Sequence, residues 1–167
     1  HIELDIGDYE FTTLRIQANG ACPCDHQRRT TVCRLYPLLP QFELGKGLCG
    51  IDSRFTIYEE AEVLGKLPRA CQISQLSFAD MEKFLRMAAA IYAAPRCLFS
   101  VMAYAIHKQH VVARLASDMV FSRRRVHHSL YALEQQGTLL DKDTLREELN
   151  ALGKTFSEYF GADFTLS

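Results

Sequence analysis

Four cysteines fall within residues 22–49, as Cys22-Pro23-Cys24, Cys33 and Cys49, and a fifth follows in Pro68-Arg69-Ala70-Cys71. Thiolates are soft ligands for zinc and for iron–sulfur clusters. Three or four of them converging on one centre need a backbone that can bend around it. Pro23, Pro37, Pro40, Gly45, Gly47 and Gly50 punctuate this stretch, and no apolar periodicity runs through residues 22–50, which read as a long loop. A loop of that length inside a compact domain needs something to order it, and ligation is one such thing. Cys22, Cys24, Cys33, Cys49 and Cys71 are therefore the candidate metal ligands, with Asp25 and His26 beside the first pair as ligands or hydrogen-bonding neighbours. The spacing is not that of a zinc knuckle, since Cys22 and Cys24 lack the second intervening residue, and it suits an iron–sulfur cluster about as well as zinc. A disulfide framework and a set of unconnected reduced thiols are the alternatives. Cys97 reads differently: it opens an apolar helix in Arg96-Cys97-Leu98-Phe99 and is expected in the core.

A second constellation is basic. Ser122-Arg123-Arg124-Arg125 puts three cations in the first turn of a helix, where the dipole disfavours them and an anion such as phosphate would offset the cost. With Val112-Ala113-Arg114-Leu115-Ala116 on a preceding helix and a break near Val120-Phe121, the segment 111–136 frames a helix-turn-helix. Arg123, Arg124, Arg125 and His128 are then its candidate contacts to nucleic acid or another anion. The plainer reading is a solvated helix face, or an arginine cluster paired with Glu59, Glu60 and Glu62 or with Glu147 and Glu148. His107 and His110, three residues apart with Asp118 further along, have the spacing of a helical metal pair, but near a helix break they read as surface residues. His127 and His128 are adjacent and point in different directions on a helix, so they form no site alone. An N-terminal copper clamp at His1 does not suit the helical remainder. No Gly-rich phosphate loop, Gly-x-Ser-x-Gly elbow or HExxH occurs, and the turn Leu44-Gly45-Lys46-Gly47 is too short to be a P-loop. Cys24 beside His26 lacks a third, orienting group, so no reaction is assigned and whether the chain is an enzyme stays open.

Gly20-Ala21-Cys22-Pro23-Cys24-Asp25, then Val32-Cys33-Arg34-Leu35-Tyr36-Pro37 with Pro40 behind it, resembles the CxxCxxCC zinc- or iron-chelating domain family over residues 18–72. In that family a cysteine near a glycine precedes a second cysteine that opens a Cys-x-x-Tyr-x-x-(Arg)-Pro element, and a further cysteine follows. Cys22 or Cys24, Cys33, Tyr36 and Pro40 fall on those features, with Leu38-Leu39-Pro40 where the family has Arg-Pro. The cysteine cluster that names the family has no counterpart in these residues. The resemblance implies a metal site rather than a particular reaction.

The rest of the chain must position these groups. It has 167 residues, 48% of them apolar, enough to build a core without covalent staples, which weighs against a disulfide framework. A formal net charge of −1 gives no global field to draw in nucleic acid, so any such surface would be local, and nucleic acid ranks behind a protein partner. No apolar run approaches the roughly 18 residues of a membrane span. No charged n-region followed by an apolar stretch follows His1, so a reducing, cytoplasmic setting is expected.

Ile2-Glu3-Leu4-Asp5-Ile6 alternates as a half-buried strand does, and residues 11–17 are also strand-like before the turn at Asn19-Gly20. Helices are expected at 56–64, at 78–93 behind an N-cap at Ser77 with Asp80 three residues on, at 98–109, at 111–119, at 122–136 with Gly137 just past its end, and at 141–160. Phe78, Met81, Phe84, Leu85, Ala88 and Ile91 are expected on the inward face of the second. Leu145, Leu149, Leu152, Phe156 and Tyr159 are expected on that of the last. The expected architecture is a single α+β domain over 1–167, mostly helical. A small N-terminal β element and the cysteine-rich loop (1–55) pack on a bundle of four to six helices (56–167). Three functions follow, in this order: a protein holding zinc or an iron–sulfur cluster, with a redox or sensor role; a nucleic-acid-binding regulator; and a metal-free protein-interaction module.

Overall fold

The computed structural model describes residues 2–6, 9–13, 35, 38–52, 76–117, 136–161 and 164. Within them the chain runs β1 (Ile2–Ile6), β2 (Tyr9–Thr13), β3 (Leu39–Glu43), β4 (Gly47–Asp52), α1 (Phe78–Tyr92), α2 (Pro95–Ser117) and α3 (Lys142–Phe160). The described residues are mostly helical with two two-stranded sheets, an α+β composition. Three helices lie among them; the expected helices at 56–64 and 122–136 lie outside the described residues. No single helix among the described residues is long and apolar enough to cross a membrane. The chain divides into two compact units, one of His1–Gln17 with Ala103–Ser167 and the other of Ala18–Met102, so that α2 is shared between them.

In the first unit β1 pairs antiparallel with β2, from Ile2 opposite Thr13 to Ile6 opposite Tyr9. The pairing starts β2 two residues before the expected 11. α3 lies against β1. Its start is set by Asp141, whose carboxylate accepts from Thr144 N at 3.2 Å and from Thr144 Oγ1 at 2.8 Å, quenching an otherwise orphaned helix donor. Its end is set by Gly161, which takes φ 63° and donates to Ser157 O at 3.0 Å. Between these caps Leu145, Leu149, Gly153 and Phe156 are buried, a four-four-three spacing that follows one stripe of the helix. Tyr159, expected inward, is 52% exposed, while the Phe160 and Phe164 rings sit 5.5 and 5.3 Å from Phe156 and supply the aromatic contacts there. Gly137 takes φ 66°, in the left-handed region that favours glycine, and the helix expected before it lies outside the described residues.

In the second unit residues 39–52 are a β-hairpin, where the sequence reads as loop to residue 50. The prolines and glycines that suggest irregular backbone have particular places in it. Pro40 sits in a strand with one unpaired edge, where a missing N–H costs no ladder bond. Gly45 holds φ 81° at the third position of a turn closed by Lys46 N donating to Glu43 O at 3.1 Å, and Gly47 follows with φ 87°. Leu39, Pro40 and Phe42 are buried while Gln41 and Glu43 are exposed. A Cβ on Gly47 would meet nothing within 4 Å, so the cost of Gly47→Ala is the left-handed backbone alone. Gly47→Ala is expected to lower stability by about 1 kcal/mol in urea denaturation. Gly50→Ala is the milder change: its Cβ would meet Gln41 Oε1 at 2.5 Å, but that is the free end of a side chain that can rotate away.

α1 begins with the expected capping box: Ser77 Oγ accepts from Asp80 N, and the Asp80 carboxylate accepts from Ser77 N, both at 3.2 Å. Phe84, Ala88 and Ile91 form its buried stripe. Phe78 and Leu85, expected on the same side, are 87% and 45% exposed. They lie seven residues apart along a neighbouring stripe, so the helix has apolar residues over a wider arc than it buries. Tyr92, in the last turn, ties the helix to the hairpin: its hydroxyl accepts from Gly45 N at 2.9 Å and its ring lies 5.9 Å from that of Phe42. Pro95 follows the end of α1 and opens α2, where its missing N–H is one of the donors a helix start leaves unused. Leu98 N donates to Ala94 O at 2.9 Å and closes that first turn.

The expected pair of helices at 98–109 and 111–119 is instead one helix, α2. The reason is plain in the residues: no Gly or Pro occurs between Pro95 and Ser117, so nothing interrupts the hydrogen-bond ladder at His110.

Candidate functional site

Of the candidate ligands, Cys49 lies among the described residues; Cys22, Cys24, Cys33 and Cys71 lie outside them, as do Arg123, Arg124, Arg125 and His128. Cys49 stands on β4 rather than on a loop. Gln41 pairs with Gly50 and Phe42 with Leu48, so Cys49 is the extra residue of a β-bulge. A bulge leaves one residue out of the ladder and re-aims its side chain, which is a way to present a thiol from a strand. Cys49 is exposed and not disulfide-bonded, and its Sγ donates to Gln41 O at 3.2 Å across the hairpin. Among the described residues no group of three or more His, Cys, Asp or Glu side chains is arranged to hold a metal ion.

Cys97 is a correction. It is exposed, not part of the core. Leu98 and Phe99, 0% and 7% exposed, take the buried side of the first turns of α2. At about 100° of rotation per residue, this leaves Arg96, Cys97 and Ser100 facing outward.

The histidines are placed differently from expectation. Because α2 is unbroken, His107 and His110 share a helix interior and a face, three residues apart. His110 is part-buried, and its Nε2 lies 3.2 Å from Glu148 Oε2 on α3. Glu148, a candidate partner for the arginines, therefore pairs with a histidine. The sequence carried a signal for this that the expected helix break concealed: one uninterrupted helix puts His110 a turn away from His107 and on the same side. Asp141 lies in the same neighbourhood. Its carboxyl is held below the usual carboxylate range, first by the hydrogen bonds from Thr144, with a smaller contribution from the His110 charge. Arg114, in the frame of the expected helix-turn-helix, donates from Nε to Thr138 O at 3.1 Å. These contacts tie α2 to α3 and to the segment before it.

His107 is part-buried, with Nδ1 fully enclosed and the Tyr104 ring 6.5 Å away. Burial holds its imidazole below the usual value of 6.5, and repulsion from His110 adds to that. A histidine whose value is lower when folded binds its proton better in the unfolded chain. Its contribution to stability is therefore complete above about pH 6.5 and is lost as the pH falls through the lowered value. His107→Gln is expected to flatten the acid side of the melting-temperature profile between about pH 7.5 and 4.5. An unchanged slope would assign the acid sensitivity to other groups.

Comparison with protein-family models, with curated proteins and with solved structures found no match.

Chemically, the described part of the site offers one accessible thiol on a pinned hairpin. The hairpin is held near its turn by Tyr92 and buried Phe42 and at its base by buried Leu39 and Pro40, so Cys49 is carried by fixed backbone. The His110–Glu148 pair bridges two helices, and among the described residues no group of three or more ligating side chains is arranged there to hold a metal ion.

Proposed function

We propose that this chain is a metal-binding protein that holds zinc or an iron–sulfur cluster through its cysteine-rich segment. Its ligands are drawn from Cys22, Cys24, Cys33, Cys49 and Cys71. One observation carries the reading: four of the six cysteines crowd into residues 22–49, and Cys49 of that set is an exposed thiol on an ordered hairpin. Neither core packing nor a disulfide uses that thiol. Support also comes from the resemblance of residues 18–72 to the CxxCxxCC zinc- or iron-chelating family. A cluster would give a redox or sensor role; zinc would make the segment a structural staple. The same reading sets the protein in the reducing cytoplasm, where thiolates stay available, and completes the helical part to a bundle of four to six with helices at 56–64 and 122–136.

The test is the metal content, acid-labile sulfide and visible spectrum of protein purified without oxygen. Iron with sulfide and a broad band near about 400 nm is expected of a cluster, and stoichiometric zinc without colour of the staple. Protein that is metal-free, and stays so after incubation with zinc or with iron and sulfide, would overturn the proposal.

A further inference from the structure

We draw no further inference here: the strongest candidate, the exposed apolar stripe of Phe78 and Leu85 on α1, carries nothing because nothing in the structure shows what covers it.

Discussion

Phe156→Ala is expected to destabilise the unit of His1–Gln17 and Ala103–Ser167 by about 3–5 kcal/mol, the usual cost of removing a fully buried aromatic ring. Phe156 is 0% exposed and stands on the same stripe of α3 as Leu145 and Leu149, which are equally buried. Its ring meets Phe160 at 5.5 Å and Phe164 at 5.3 Å, the latter edge-on. Truncation would remove the transfer energy of the ring and leave a cavity. Capped at both ends by Asp141 and Gly161, the helix is poorly placed to collapse into it. The melting temperature should fall by roughly 10 °C for a chain of this size. Tyr159→Ala is the control, because its side chain is half in solvent and its main ring contact is Phe160, edge-on at 4.9 Å. Equal losses from the two substitutions, read by urea denaturation, would mean that the buried stripe of α3 does not lie where the structure puts it.

On the proposed metal-binding reading, Cys49→Ser is expected to reduce bound metal from about one equivalent per chain towards zero, since a ligand set of four thiolates holds its ion poorly with one removed. The structure makes this substitution informative. The side chain is exposed, so no core cavity forms. Its one described hydrogen bond, to Gln41 O, is one that a serine hydroxyl can also make. Loss of metal would therefore report ligation rather than misfolding, which unchanged circular dichroism would confirm. Cys97→Ser is the control, also exposed and on a helix. Cys33→Ser is measured beside them, because five candidates for about four positions leave one to spare. Metal retained in both Cys49→Ser and Cys33→Ser, or lost to the same extent in Cys97→Ser, would dismiss the ligand set.

Capping and local pairing were legible from residues alone. Ser77 with Asp80 is a start signal whose partner lies three residues away, so the chemistry that places it is written locally; the cap of Asp141 on Thr144 is as local but was not read, and Pro95 opens a helix whose start was expected near 98. The alternation of Ile2–Ile6 was legible for the same reason. The hairpin at 39–52 was less so. Its glycines and prolines have the same composition in a loop as in a turn and bulge, and only the pairing of Leu39 opposite Asp52 and the burial of Phe42 separate the two. That difference moved Cys49 from a flexible loop to a fixed strand.

By itself, then, the sequence determined the mostly helical character, the ends of α1 and α3, the crowding of thiols before residue 50 and the near-neutral charge. These depend on composition and on interactions a few residues long. The tertiary structure alone decided which apolar residues each helix buries: Phe84 and Phe156 but not Phe78 or Tyr159. It also decided that Cys97 faces solvent and that His110 meets Glu148 on another helix. Each of those depends on what lies across the packed face, dozens of residues away, and helical periodicity specifies a face without naming its neighbour.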